Sequence, residues 1–206
     1  MTLDQLRPVA TRLLEPVVHG ADWLGLTPNR VSLLAFGFAL LAAGAFAVAS
    51  PATPVAYLVG AALVLLNGSL DLLDGQLARE QGVDSRAGDF LDHVLDRYAD
   101  VVVVAGLAAG VDRYALGFAA VTGVLMTSYL GTQIQAVGLG RSYGGLVGRA
   151  DRLVLVGVTA VLAAVAPVRP GGLSVVAWLL VLLAVVGHLT AIQRFYAAWT
   201  DLGESG

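Results

Sequence analysis

Six apolar segments, each close to the ~20 residues a helix needs to cross a bilayer, constrain this chain more than any other feature. They cover roughly 31–49, 54–73, 90–109, 114–137, 153–166 and 173–192, the fifth being short and extending back toward Arg149. Pro and Gly punctuate the connections at Ser50-Pro51, Gly110, Pro167 and Pro170-Gly171-Gly172. Charged residues make up only 13% of the 206, against about 25% in soluble domains. The fold class expected is all-α, a polytopic membrane protein with six transmembrane helices and an N-terminal interfacial amphipathic helix. One domain then accounts for residues 1–206, with the interfacial helix at 1–26, the bundle at 27–194 and a cytoplasmic tail at 195–206.

The arginines set the expected orientation. All twelve basic residues are Arg. Nine of them fall before the first segment, between the second and third, between the fourth and fifth, or at the end of the sixth, and Arg97 lies just inside the third; only Arg113 and Arg169 fall on the other side. Positive residues are retained on the cytoplasmic side, so both termini are expected there, in a multi-pass protein of the cell membrane. The first 25 residues lack a continuous apolar core and carry Asp4, Arg7, Arg12 and Glu15, unlike a signal peptide. Leu3, Leu6, Leu13, Leu14, Val17 and Val18 suggest a helix lying in the interface, with Pro8 and Pro16 as potential breaks. Thr27-Pro28 reads as an N-cap followed by Pro at the first helical position. The formal charge of −3 and the lack of a basic stripe with interleaved aromatics exclude a nucleic-acid partner.

Acidic residues are concentrated where they are costly. Seven of the twelve Asp lie between 71 and 100. Asp71 and Asp74 end the second segment, and Asp92 and Asp96 begin the third; spacings of three and four share a helix face. The stretch between them holds Gly75, Gly82 and Gly88, so a turn there brings the helix ends together. Four carboxylates with no cysteine, and only His93 nearby, make an all-oxygen site for Mg²⁺ or Mn²⁺. Two such ions can clamp a phosphoryl group. One alternative is a solvated loop paired with Arg79, Arg86 and Arg97, which needs neither helical phasing nor glycines. Another is a transporter's carboxylate relay, which favours the bilayer midplane over span ends.

Asp71, Asp74, Gly75, Ala78, Arg79, Gly88, Asp92 and Asp96 fit D-x2-D-G-x2-A-R-x8-G-x3-D-x3-D without a gap. This resembles the signature of the CDP-alcohol phosphotransferases. The resemblance implies transfer of a phosphatidyl or archaetidyl group from CDP-diacylglycerol or CDP-archaeol to an alcohol, with release of CMP. It further implies a divalent metal cofactor, in line with the two Mg²⁺ or Mn²⁺ ions that the carboxylates suit, and a homodimer acting at the cytoplasmic membrane face. Carried onto this chain, Asp71, Asp74, Asp92 and Asp96 hold metal and Asp96 is the general base. Gly75, Ala78 and Arg79 line the CDP-lipid site, with Arg79 on the diphosphate; Asn29, outside that motif, is a further candidate for the CDP-lipid site.

A second cluster, Arg149, Arg152 and Arg194, with Arg141 upstream, is similar to the inositol-phosphate branch, in which such arginines bind the acceptor's phosphate. Arginine is a bidentate phosphate donor. The chain departs from that branch late in the fourth segment, where it has Gln133 and Gln135 instead of basic residues. The acceptor is therefore a polyol phosphate such as inositol phosphate, or else glycerol phosphate or another alcohol. Asn67 either faces the site or pairs between helices; Asp89 and Asp100 either support the motif residues one turn away or, the favoured reading, pair with Arg86 or Arg97; Asn29 and Ser32 either cap locally or reach the nucleotide. His19, His93 and His188 read as structural, and Gly37, Gly44 and Gly60 as close helix packing.

Overall fold

The computed structural model describes residues 7–83, 85–140 and 147–204. Leu3, Leu6 and Arg141 lie outside the described residues. Seven α-helices follow one another: α1 (Arg7–Trp23), α2 (Pro28–Ala47), α3 (Pro54–Gln81), α4 (Arg86–Gly110), α5 (Tyr114–Ala136), α6 (Arg149–Val165) and α7 (Val175–Glu204), with a 3-10 turn at Pro170–Gly172 before the last. Among the described residues there is no strand.

Four of these helices, α2, α3, α5 and α7, are long and apolar enough to cross a membrane. The other two expected spans differ for distinct reasons. Helix α4 has 25 residues, but the stretch from its start to residue 100 carries Arg86, Asp89, Asp92, Asp96, Arg97 and Asp100. Helix α6 has only 17 residues, about 26 Å at 1.5 Å per residue. Outward faces are apolar, as at Leu33, Leu40 and Leu41 of α2 and Leu65 of α3, all exposed. Patches of this kind normally mark a membrane or partner surface.

The bundle is organised around α2, which packs along both α3 and α4, while α5 packs on α7 and α6 on α3. Phe46, Leu107 and Leu180 are fully buried at its centre. Small residues allow close approach. A Cβ on Gly60 would strike the Phe46 ring, one on Gly106 the Ala43 backbone, and one on Gly187 the Gly123 backbone. Gly37 and Gly44, expected to serve close packing, face nothing within 4 Å.

Several element ends differ from the sequence reading. Helix α3 does not stop near Leu73 but continues to Gln81, because no residue in 74–81 prevents it and Leu77 is buried there. Gly82, with φ 61°, ends it in the left-handed conformation that glycine adopts without a Cβ clash. Ser85 then caps α4 by accepting the Gly88 amide at 3.0 Å. Gly75 and Gly88 are therefore helical, and only Gly82 makes the turn. Helix α7 runs past Arg194 to Glu204, so most of the expected tail is helical. Thr27 stands at the N-cap of α2 as expected, but its side chain makes no cap bond. Helix α1 passes through Pro16 unbroken. Its Val18 and Ala21 are buried against Val31, Leu73 and Leu77, while Val17 stays exposed. His19 Nε2 lies 3.4 Å from Glu80 and Gln81 donates to Asp22 at 2.8 Å, tying α1 to the end of α3.

Candidate active site

Helical phasing delivers the acids to one cleft. Asn67, Asp71 and Asp74 recur along one face of α3, and Asp92 and Asp96 along one face of α4. Ser32, Ala35 and Phe36 of α2 form the wall between them. Asp71, Asp92 and Asp96 each offer a carboxylate oxygen, and these oxygens lie within 4.8 Å of one another. All three residues are half-buried.

Asp74 lines the same cleft, but its carboxylate turns toward α2. It is 5% exposed and accepts a 2.6 Å hydrogen bond from the Ser32 hydroxyl. Asn67, 2% exposed, donates its amide to the Ala35 carbonyl at 2.9 Å. Its Oδ1 has no partner. Asn67 thus both ties α2 to α3 and leaves an oxygen at the cleft wall.

Arg149 stands among the acids. Its guanidinium bridges Asp71 Oδ2 at 2.5 Å and Asp96 Oδ1 at 2.7 Å. The sequence reading grouped it with Arg152 and Arg194; the structure turns its side chain the other way. Three close carboxylates repel one another, and one buried cation relieves part of that. Arg152 sits one turn further along α6, 8% exposed, donating from Nη2 to Asp100 at 2.7 Å. It lines a second cavity with Thr127 of α5 and Thr190 of α7. Arg194 Nη1 donates to the Thr127 carbonyl, which brings Arg194 to the same wall. Gly131 makes room for it: a Cβ there would lie 2.7 Å from Arg194 Nη1.

The remaining expected residues lie at the cleft's mouth or outside it. Arg79 is exposed, its guanidinium folded back so that a Cβ on Gly75 would stand 3.6 Å from Nη1. The Ala78 carbonyl accepts the Val83 amide at 3.1 Å in the helix-ending turn. Asn29 is exposed, with Oδ1 close to Gly88 at the start of α4. Gln133 and Gln135 are exposed. His93 is exposed and turns its Nδ1 back to the Asp89 carbonyl at 2.8 Å, away from the carboxylate group. Two residues find partners other than those expected. Ser32 donates across to Asp74 of α3, a partner that nothing in the sequence pairs with it. Asp100 lies 4.0 Å from the expected Arg97 but meets Arg152 more closely, at 2.7 Å.

The donor set fits a divalent cation. It consists of oxygens only, it keeps net negative charge after Arg149 is counted, and the unpartnered Asn67 Oδ1 adds a neutral oxygen to the same wall. Hard cations take such ligands, whereas zinc sites favour Cys and His.

The profile of CDP-alcohol phosphatidyltransferases matches residues 25–186. The chain belongs to the CDP-alcohol phosphatidyltransferase family. It is 36% identical to the phosphatidylinositol phosphate synthase of Mycolicibacterium smegmatis over 206 residues, covering 96% of this chain and 88% of that one. It is 29% identical to the archaetidylinositol phosphate synthase of Pyrococcus horikoshii over 197 residues, covering 95% and 96%. The fold is similar to that of the Mycobacterium tuberculosis phosphatidylinositol phosphate synthase crystallised with CDP-DAG, with TM-score 0.75 and 29% identity over 92% of this chain and 94% of that one. The same enzyme crystallised with manganese and citrate gives TM-score 0.74 and 30% identity over 90% and 88%. Family membership makes the chain a phosphotransferase of phospholipid synthesis and removes the transporter reading of its carboxylates. The family is membrane-bound, which agrees with the four apolar helices.

Proposed function

We propose that this CDP-alcohol phosphatidyltransferase attaches a phosphatidyl or archaetidyl group to a hydroxyl of a phosphorylated polyol, inositol phosphate being the favoured acceptor. The observation that carries the reading is the meeting of Asp71, Asp92 and Asp96 oxygens within 4.8 Å inside a family whose reaction joins a CDP-lipid and an alcohol. The inositol phosphate preference is supported by the similarity to inositol phosphate synthases and by two arginines at one cavity wall, buried Arg152 and half-buried Arg194. Arg152 Nε has no partner, which leaves an N–H for an anion.

In this proposal Asp71, Asp74, Asp92 and Asp96 hold two Mg²⁺ or Mn²⁺ ions. When bound, the ions would neutralise the diphosphate and stabilise the departing phosphate. The chain's own groups do the rest. Asp96 accepts the proton from the acceptor hydroxyl as its oxygen bonds to the lipid-linked phosphorus. The bond from that phosphorus to the bridging oxygen breaks, and CMP leaves with the electron pair. Arg79, beside Gly75 and Ala78, steadies the diphosphate, and Asn29 reaches the nucleotide from α2. Arg152 and Arg194 hold the acceptor's phosphate, so the hydroxyl is delivered toward Asp96. Arg149 lies between the two groups and keeps the acid cluster from repelling an anionic substrate. Positioning and charge neutralisation account for most of the rate in phosphoryl transfer.

The proposal also covers placement. Six spans, with α4 and α6 completing the bundle, and α1 in the interface would put the cleft at the cytoplasmic surface. The start of α2, the end of α3 and the starts of α4 and α6 share that end, and the sequence pattern assigns ten of the twelve arginines to the same side. A homodimer is proposed from the family resemblance. Purified protein with CDP-lipid, Mn²⁺ and either inositol 1-phosphate or glycerol 3-phosphate tests the reading by CMP release. Inositol phosphate is expected to react faster, and Asp96→Asn to lose at least about a hundredfold in kcat. Equal or better use of glycerol 3-phosphate would move the acceptor assignment. CMP release unaffected by Asp96→Asn would remove the general base.

A further inference from the structure

We infer that Asp100 is a positioning residue for the acceptor, acting through Arg152; the inference rests on the acceptor-phosphate reading above. Asp92, Asp96 and Asp100 follow one another at intervals of four along α4, so one helix face carries all three. Arg149 and Arg152 are three apart on α6. The pairs Asp96–Arg149 and Asp100–Arg152, both at 2.7 Å, are therefore successive rungs between the same two helices. The first rung belongs to the acid cluster. The second belongs to the neighbouring cavity, which Arg152 lines.

Burial argues that the second rung does more than join helices. Asp100 and Arg152 are each 8% exposed. A buried ion pair seldom improves on a well-packed apolar pair, because desolvation offsets most of the attraction. Adhesion between α4 and α6 alone would be served as well by two apolar side chains. What the pair supplies is direction. Guanidinium is a planar fork, and Asp100 engages one prong, Nη2, while Nε is left without a partner. Asp100 also offsets the repulsion between Arg152 and Arg194, which reach the same wall at Thr127. Arg97 Nε also approaches Asp100, at the longer distance of 4.0 Å, and Arg149 on the preceding rung feels its charge. With the two rungs one helical turn apart, the grip on the acceptor's phosphate is set at a fixed offset from the carboxylate that takes the hydroxyl proton.

The test is steady-state kinetics with purified protein, separating the KM of inositol 1-phosphate from that of CDP-diacylglycerol. Asp100→Asn keeps the shape and removes the charge. It is expected to raise the acceptor KM roughly tenfold, the size of one weakened charge-assisted contact. The CDP-lipid KM and Mn²⁺ affinity should stay within about twofold. The double change Asp100→Arg with Arg152→Asp is expected to recover thermal stability but not the acceptor KM. A swap that restores the acceptor KM, or an Asp100→Asn that impairs both substrates equally, would show mere structural pairing and overturn the inference. An acceptor KM unmoved by Asp100→Asn but raised by Arg152→Ala would overturn it while leaving the acceptor reading intact. If Arg152→Ala moves no acceptor's KM, the acceptor reading itself fails and takes the inference with it. Should Asp100→Asn not accumulate, Asp100→Glu keeps the charge and shifts its position by one methylene. It is expected to raise the acceptor KM alone, and no change would count against positioning.

Discussion

Arg149 is a cation enclosed by acids, and its neighbours explain why it can be there. Asp71 meets one prong of its fork, Nη1, and Asp96 the other, Nη2, a bridge that the planar guanidinium holds at fixed spacing. A lysine at the same place would set a single nitrogen between the two acids, without the fixed spacing of the guanidinium's two prongs. Asp74 is held differently, by a neutral hydroxyl from α2, so the two acids of one motif meet different environments. Gly131 is another residue whose meaning comes from a distant neighbour. Gly131→Ala would place a methyl 2.7 Å from Arg194 Nη1, closer than carbon and nitrogen approach without bonding. The guanidinium must then move off the Thr127 carbonyl. The expected outcome is a several-fold rise in acceptor KM with the CDP-lipid KM unchanged, read by the same CMP-release kinetics.

At the scale of elements, the junction of α3 and α4 decides whether the acids meet. Its turn is short and depends on Gly82, whose φ of 61° costs an L-residue about 1–2 kcal/mol. Gly82→Ala is expected to lower the melting temperature and weaken Mn²⁺ binding together, since the strain can be relieved only by moving α4 relative to α3. Calorimetry and Mn²⁺ titration of the same variant check both. Helix α1 is docked on this same end of α3. The Glu15 carbonyl accepting from the His19 ring, with Glu80 beside it, raises the His19 pKa above its ordinary 6.5. A raised pKa in the folded state means the contribution is complete below about 6.5. It is lost as pH rises through the higher folded value. Protease cleavage within α1 is thus expected to be slower at pH 6 than at pH 8, and His19→Gln should abolish the difference.

For the whole molecule, the cleft is a place where folding and binding share free energy. Closely held carboxylates oppose the folded state until a cation is present, and a ligand that binds only the folded form stabilises it. At a hundredfold excess over Kd, that stabilisation is about 2.7 kcal/mol, enough to raise the melting temperature by roughly 5–10 °C in a chain of this size. Mn²⁺ is expected to produce such a shift in detergent, EDTA to reverse it, and Asp71→Asn with Asp92→Asn to remove it. The rest of the bundle can tolerate this local repulsion because its helices pack tightly elsewhere, with backbones in close approach at Gly123 on Gly187 and Gly106 on Ala43.

What the sequence determined by itself was the inventory and its phasing. Helices are the means by which apolar segments satisfy their own backbone in lipid. Intervals of three and four then put Asp71 with Asp74, and Asp92 with Asp96, on common faces. The match from Asp71 to Asp96 already named the family. Where side chains turn was decided elsewhere. Helical phase says which residues share a face but not how two helices are rotated against each other. That rotation sent Arg149 to the acids and Arg152 to Asp100, and set Asp74 against Ser32, forty-two residues away. Element ends were hidden for a related reason. Between 74 and 81 nothing in the chain forces a stop, and burial of Leu77 extends α3 until Gly82 supplies a backbone conformation that a helix cannot continue.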